Sequence, residues 1–129
     1  MLKKRIIFTL HYDKGFFNLS RNFRLQKIGD LNWLLKNYNF LKIAESIDEL
    51  IIIDVSRDNR EHDKFLENVS EITKNIFVPV CLGGGIRTLE YAKKLFESGA
   101  DKINLNTSLF HDPSLVDEIS KTYGAQAII

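Results

Sequence analysis

Three consecutive glycines, Gly83, Gly84 and Gly85 in the stretch CLGGGIRTL, follow an apolar run and precede a helical pattern. Glycine inside regular structure costs about 0.5–1 kcal/mol relative to alanine, so a run of three needs a reason. A tight strand-to-helix turn explains one and less readily two. A glycine turn feeding a helix also bares N–H groups at the positive end of a helix dipole, which suits an anion such as a phosphate. Asn106 and Thr107 follow the next apolar run and add side-chain donors, so the two segments read as half of a phosphate grip. His11 follows the first apolar run and Asp54 closes the second. Turns are polar in any case, and each of these groups taken singly is as readily a cap as a site residue. Gathered at one rim, they favour a site.

A second set of charges stands at the other ends of the runs. Arg5, Glu49 and Lys102 each begin an apolar stretch. Pointing inward they would form a ring of alternating charge, and each would have to pair, because an uncompensated buried charge costs about 3–5 kcal/mol. Periodicity alone favours the outward alternative, in which they only solubilise the strand starts.

The elements that must position these groups alternate. Strands are expected at Ile6–Leu10, Leu50–Asp54, Phe77–Leu82, Ile103–Leu105 and Ala127–Ile129, all nearly continuous in apolar residues, as strands buried on both faces are. Helices are expected between them. Phe65, Leu66, Val69 and Ile72 share a face, as do Leu89, Ala92, Leu95 and Phe96, with Thr88 as N-cap and Gly99 past the C-terminus. Asp112-Pro113 reads as an N-cap followed by proline at the first helical position, before Leu115, Val116 and Ile119. Asp30 to Ser46 is helical, with a break at NYNF. The order β-α-β-α-β-α-β-α-β calls for a parallel sheet with right-handed crossovers. Four βα units suit a (β/α)4 half of a (β/α)8 barrel, as one half-barrel domain over residues 1–129; a small doubly wound sheet is the alternative. The chain stops at AII inside an apparent fifth strand, so the expectation is a truncated barrel or one completed by a second copy.

The bulk numbers narrow the class. Eighteen basic and seventeen acidic residues give a net charge of +1, which favours neither nucleic acid nor an anionic membrane as partner. No run of apolar residues approaches a membrane span. One cysteine, Cys81, gives no disulfide framework and no zinc set, and a reducing, cytoplasmic setting fits. Cys81 reads as a small core residue and Trp33 as packing. His62 and His111 lack companions at metal-ligand spacing. The loop SRDNREHDKF, with Arg57, Arg60 and His62, reads as solvated, and Lys14 as an ordinary loop lysine.

The segments KRII, IDELIIIDV, VPVCLGGGI, SGADKINLNTSLFHDPSL and YGAQAII together resemble the cyclase subunit family of imidazole glycerol phosphate synthase, over nearly the whole chain but only the family's N-terminal half. The resemblance implies a (β/α)8 barrel of histidine biosynthesis. A glutaminase docked on its floor releases ammonia, which passes a charged gate and reacts at the upper rim with a phosphorylated ribulosyl intermediate. Imidazole glycerol phosphate and a purine-pathway carboxamide result. Arg5, Glu49 and Lys102 match the gate, against the outward reading. Asp101 matches the glutaminase interface; Gly84, Gly85, Asn106 and Thr107 match a phosphate grip; Asp54 matches a residue lining the site. No cofactor and no metal is implied.

Two departures stand out. The family's first catalytic carboxylate belongs where this chain has His11, in TLHY, and the lysine of the following loop is absent from FFNLSRNF. Histidine exchanges protons near neutral pH but does not replace an anionic base one for one. The second carboxylate would lie beyond Ile129, so the isolated chain is expected to be inactive. A gate kept while the acid is changed also resembles a branch that passes ammonia into acetamidino groups of surface polysaccharide. Further alternatives are a docking subunit without ring chemistry and an inactive half-barrel.

Overall fold

The parallel strands follow one another in space in their order along the chain, and that arrangement settles where the helices go. The computed structural model describes residues 3–129. Four strands run parallel: β1 (Ile7–Asp13), β4 (Glu49–Asp54), β5 (Val80–Gly83) and β6 (Lys102–Asn104). Right-handed crossovers between successive neighbours place every connecting helix on the same face. That face takes α1 (Leu31–Asn37), α2 (Phe40–Ala44), α3 (His62–Thr73), α4 (Leu89–Glu97) and α6 (Pro113–Tyr123); a short α5 (Thr107–His111) follows β6. Phe65, Val69 and Ile72 of α3, Leu95 of α4 and Ile119 of α6 are buried with Leu50, Ile52, Leu82 and Ile103 of the strands.

Local signals stop and start the helices where the sequence places them. Thr88 accepts a hydrogen bond from the Tyr91 amide, and Asp112 accepts one from that of Leu115 with Pro113 in the first turn. Asp30 caps α1 through the Trp33 amide and Asn39 caps α2 through that of Lys42, so the break at NYNF divides one amphipathic segment into two short helices.

Four strand expectations need correction. The strand expected from Phe77 begins only at Val80, and Phe77 is exposed. The first strand does not end at Leu10. It runs to Asp13, because Tyr12 is held in the helix layer by Phe17 and Phe65, with ring centroids 5.6 and 5.0 Å away. The segment after it is not a loop but an antiparallel hairpin, β2 (Phe16–Arg21) and β3 (Arg24–Asp30). Its two-residue turns, Lys14-Gly15 and Asn22-Phe23, hold both residues at positive φ, as tight hairpin turns of primed type require. Lastly, Ala127–Ile129 is not a strand. Gly124 turns the chain into a 3-10 turn at Ala125–Ala127, and only Ile128 bridges to Ile103.

The sheet order is β3-β2-β1-β4-β5-β6 and the sheet is not closed. The result is an open, mostly parallel α/β sheet of the half-barrel type, with an added hairpin at one edge. Among the described residues no helix layer covers its second face. Among the described residues no helix is long and apolar enough to cross a membrane.

Candidate functional site

Strand register sorts the polar residues between the two faces of the sheet, since paired residues share a face and neighbours alternate. His11 pairs with Ile53, and Gly83 pairs with both Ile53 and Asn104, all on the uncovered face. Tyr12 pairs with Asp54 on the helix-covered face. His11 and Asp54, both expected at the upper rim, therefore sit on opposite sides of the sheet.

Above the strand ends lies a cavity of about 270 Å³, lined by Asp54, Arg60, Gly84, Gly85, Asn106 and Thr107 among others. The two segments expected to form a phosphate grip thus border one space. The glycines also have reasons internal to the chain. Gly84 has φ +103°, and a Cβ there would collide with the Asp54 carbonyl oxygen. Gly85 has φ +67°, and its Cβ would lie 2.6 Å from Cδ of Arg60. Gly83 faces Asn104 across β6, where a Cβ would come within 2.9 Å of that side chain. Gly83 and Gly84 exclude a side chain sterically and the positive φ disfavours one at Gly85, so the run by itself does not require an anion. Ser108 ties α5 to the glycine turn by a short hydrogen bond from its hydroxyl to the Ile86 carbonyl.

Asp54 is fully buried. One carboxylate oxygen accepts the Ser56 amide at 3.0 Å and lies 3.6 Å from Nη1 of Arg60; the other has no hydrogen-bond partner. Arg60 also donates to the Asp54 main-chain carbonyl at 2.6 Å. The loop expected to be solvated therefore contributes a cavity-lining arginine. His62 is likewise not free in solvent: its ring packs edge-on against Tyr91 at 4.0 Å between centroids. Burial, with the Asp54 charge adding to it, raises the phenol pKa of both Tyr12, to about 12, and Tyr91.

At the opposite mouth Arg5, Glu49 and Lys102 come together rather than pointing apart. Arg5 donates to Glu49 at 2.9 Å, and Lys102 Nζ lies 4.0 Å from the other carboxylate oxygen, which has no hydrogen-bond partner. Glu49 is buried while Arg5 is half exposed. The outward arrangement favoured by periodicity is thus not the one adopted, because β4 begins one residue before the apolar run and its register turns Glu49 onto the face of Lys102. Cys81 pairs with Lys102, and burial pushes its thiol up to about 11, Glu49 adding to the shift; a protonated thiol there is a poor nucleophile. Asp101 pins the starts of β5 and β6, accepting the Val80 amide and donating its own to the Val80 carbonyl, both at 2.8 Å.

Sequence reasoning missed two groups besides Arg60. Arg87 lines the upper cavity. Lys27 stands opposite Asn18, which stands opposite His11, so a row of three polar residues crosses β1, β2 and β3. Only a hairpin prediction would have exposed that row, and the two-residue turn at Lys14-Gly15 was its available signal. Lys14 itself is paired with Asp58 at 2.9 Å. Among the described residues no group of three or more His, Cys, Asp or Glu is arranged to hold a metal ion.

Comparison with known proteins bears on this geometry. Residues 25–129 match the model of a family described as histidine biosynthesis protein. The chain belongs to that family. A protein of Parasynechococcus marenigrum (strain WH8102), provisionally named imidazole glycerol phosphate synthase subunit hisF2, is 56% identical over 129 residues, covering all of this chain and 48% of that protein. Imidazole glycerol phosphate synthase subunits HisF of Staphylococcus carnosus and Exiguobacterium sibiricum are 39% and 37% identical, over 99% and 100% of this chain and 49% and 51% of their own lengths. The chain spans about half the length of the curated relatives it matches. The histidine biosynthesis match begins in β3, so it takes in Glu49, Asp54, the glycine turn and Lys102, whereas Arg5 and His11 are covered only by the whole-chain relatives.

Proposed function

We propose that this chain acts as part of an imidazole glycerol phosphate synthase cyclase subunit in histidine biosynthesis. The observation that carries the proposal is the match of the entire chain to proteins named as that subunit. In this reading a partner glutaminase docks at the mouth where Asp101 lies and releases ammonia. The ammonia passes the Arg5–Glu49–Lys102 cluster and reacts at the opposite rim with a phosphorylated ribulosyl substrate, giving imidazole glycerol phosphate and a purine-pathway carboxamide. Gly84, Gly85, Asn106 and Thr107 hold one phosphate. The setting is cytoplasmic.

Each role has physical support. A buried carboxylate between two partly exposed cations is a polar constriction that a small neutral molecule could cross by exchanging hydrogen bonds. The upper cavity brings the glycine turn beside two arginines, a setting that favours a doubly charged anion. The synthase names of the relatives favour this reading over acetamidino sugar modification.

A second reading rests on His11. It stands on the uncovered face, where the resemblance calls for a carboxylate, so the subunit could receive ammonia without closing the ring. One assay separates the two: the intact protein is supplied with ammonium salts and the ribulosyl intermediate. Formation of imidazole glycerol phosphate is expected, and its absence with an ammonia-competent, folded protein would leave the docking reading. In the same protein with its glutaminase, Arg5→Ala should lower glutamine-dependent turnover more than ammonium-dependent turnover; equal loss in both argues against a gate.

A further inference from the structure

Arg60 belongs to a charged loop, yet its side chain lies along the upper cavity. Nη1 is committed to the Asp54 main-chain carbonyl at 2.6 Å, and the Cδ–Nε stretch lies over Gly85. A guanidinium carries five N–H groups in a fixed plane. Among the described residues Arg60 donates one hydrogen bond, to that carbonyl, and its side chain is 28% exposed, so most of its donor edge has no protein acceptor. Two arginines, Arg60 and Arg87, line the cavity against one carboxylate. That carboxylate, Asp54, lies on the helix-covered face and is engaged by the Ser56 amide. The cavity therefore presents an excess of positive charge and unused donors at the glycine turn.

We propose that Arg60 is a phosphate-contacting residue: its free guanidinium edge donates to the oxygens of a phosphate monoester lying over Gly84 and Gly85. The inference rests on reading this cavity as the phosphate grip. Asp54 has a positioning role, holding the guanidinium plane in place before the anion arrives, which lowers the cost of ordering a long side chain on binding. A planar fork meets two phosphate oxygens at once, and an ammonium in its place offers a single point charge.

The test is an amide NMR titration of the 129-residue chain with inorganic phosphate, read at Gly84, Gly85 and the Arg60 Nε–H. All three resonances should shift along one binding curve. Arg60→Gln should weaken binding about tenfold, Arg60→Lys about threefold to tenfold, and Arg57→Gln, in the same loop but outside the cavity, should leave it within about twofold. If Gly84 and Gly85 respond while both Arg60 variants bind like the parent, the role of Arg60 is overturned and the phosphate grip stands. A loss in Arg57→Gln equal to that in Arg60→Gln overturns it too, since the effect would then be general attraction. If phosphate moves neither glycine in the parent, the grip itself fails, and the inference with it. Should Arg60→Gln lose its dispersed spectrum, Arg60→Lys, which keeps a cation beside Asp54, is judged by the same criteria.

Discussion

The two mouths of the half-barrel handle charge in opposite ways. At the lower mouth, side chains neutralise one another: Glu49 is buried between Arg5 and Lys102, and the cluster is built from the starts of β4 and β6 and from Arg5, two residues ahead of β1. At the upper mouth the backbone does most of the shaping. Gly84 and Gly85 are at positive φ, the Asp54 carbonyl packs where a side chain would be, and Arg60 braces the turn from outside. The lesson concerns tolerance. A side-chain cluster with exposed partners can rearrange around a substitution, because water reaches Arg5 and Lys102. A turn whose backbone touches backbone has nowhere to move.

The largest expected effect follows from that contrast. Gly84→Ala should destabilise the chain by about 3 kcal/mol or more, since strain at a positive φ is added to a clash with the Asp54 carbonyl. Denaturant unfolding measures this, and a loss under about 1 kcal/mol would show that the upper turn is softer than its geometry implies. Next comes Arg60→Ala. It strips the cation from a buried carboxylate already missing one hydrogen bond, and should cost about 2–3 kcal/mol. Arg5→Ala at the lower mouth should cost only about 1 kcal/mol, because Arg5 is half exposed and Lys102 remains near Glu49. A larger loss for Arg5→Ala than for Arg60→Ala would reverse the comparison.

The last effect is absent at neutral pH and shows only in alkali. The phenols of Tyr12 and Tyr91 and the Cys81 thiol all have raised pKa values, so the folded state keeps them protonated while the unfolded chain ionises near pH 9–10. Their contribution to stability is complete below pH 9 and is lost as pH rises through the folded values, toward 12 for Tyr12. Unfolding midpoints measured from pH 8 to 12 should fall steeply above pH 10, and Tyr12→Phe should flatten part of that slope.

Much of this molecule is legible in its residues. The helix caps at Thr88 and Asp112 are local hydrogen bonds between neighbours in sequence, which is why they can be read without a fold. The βα alternation is legible for the same reason. The hairpin was not, since beyond Phe17 and Asn18 its strands are mostly exposed and carry no sustained apolar alternation, and their support comes from pairing with β1 and with each other. Nor was Arg60: its neighbours are charged, and only the return of β5 beside β4 brings Gly85 beneath it.

What the sequence determined by itself is the alternation of the four parallel strands with amphipathic helices, and hence the order of those four in the sheet, because periodicity, capping and crossover chirality act over short stretches of chain. What the tertiary structure alone decided is which face each charge takes and which charges meet. Glu49 finds Arg5 and Lys102 across more than forty residues of chain, and His11 and Asp54 part company, through strand register, where a shift of one residue reverses every side chain.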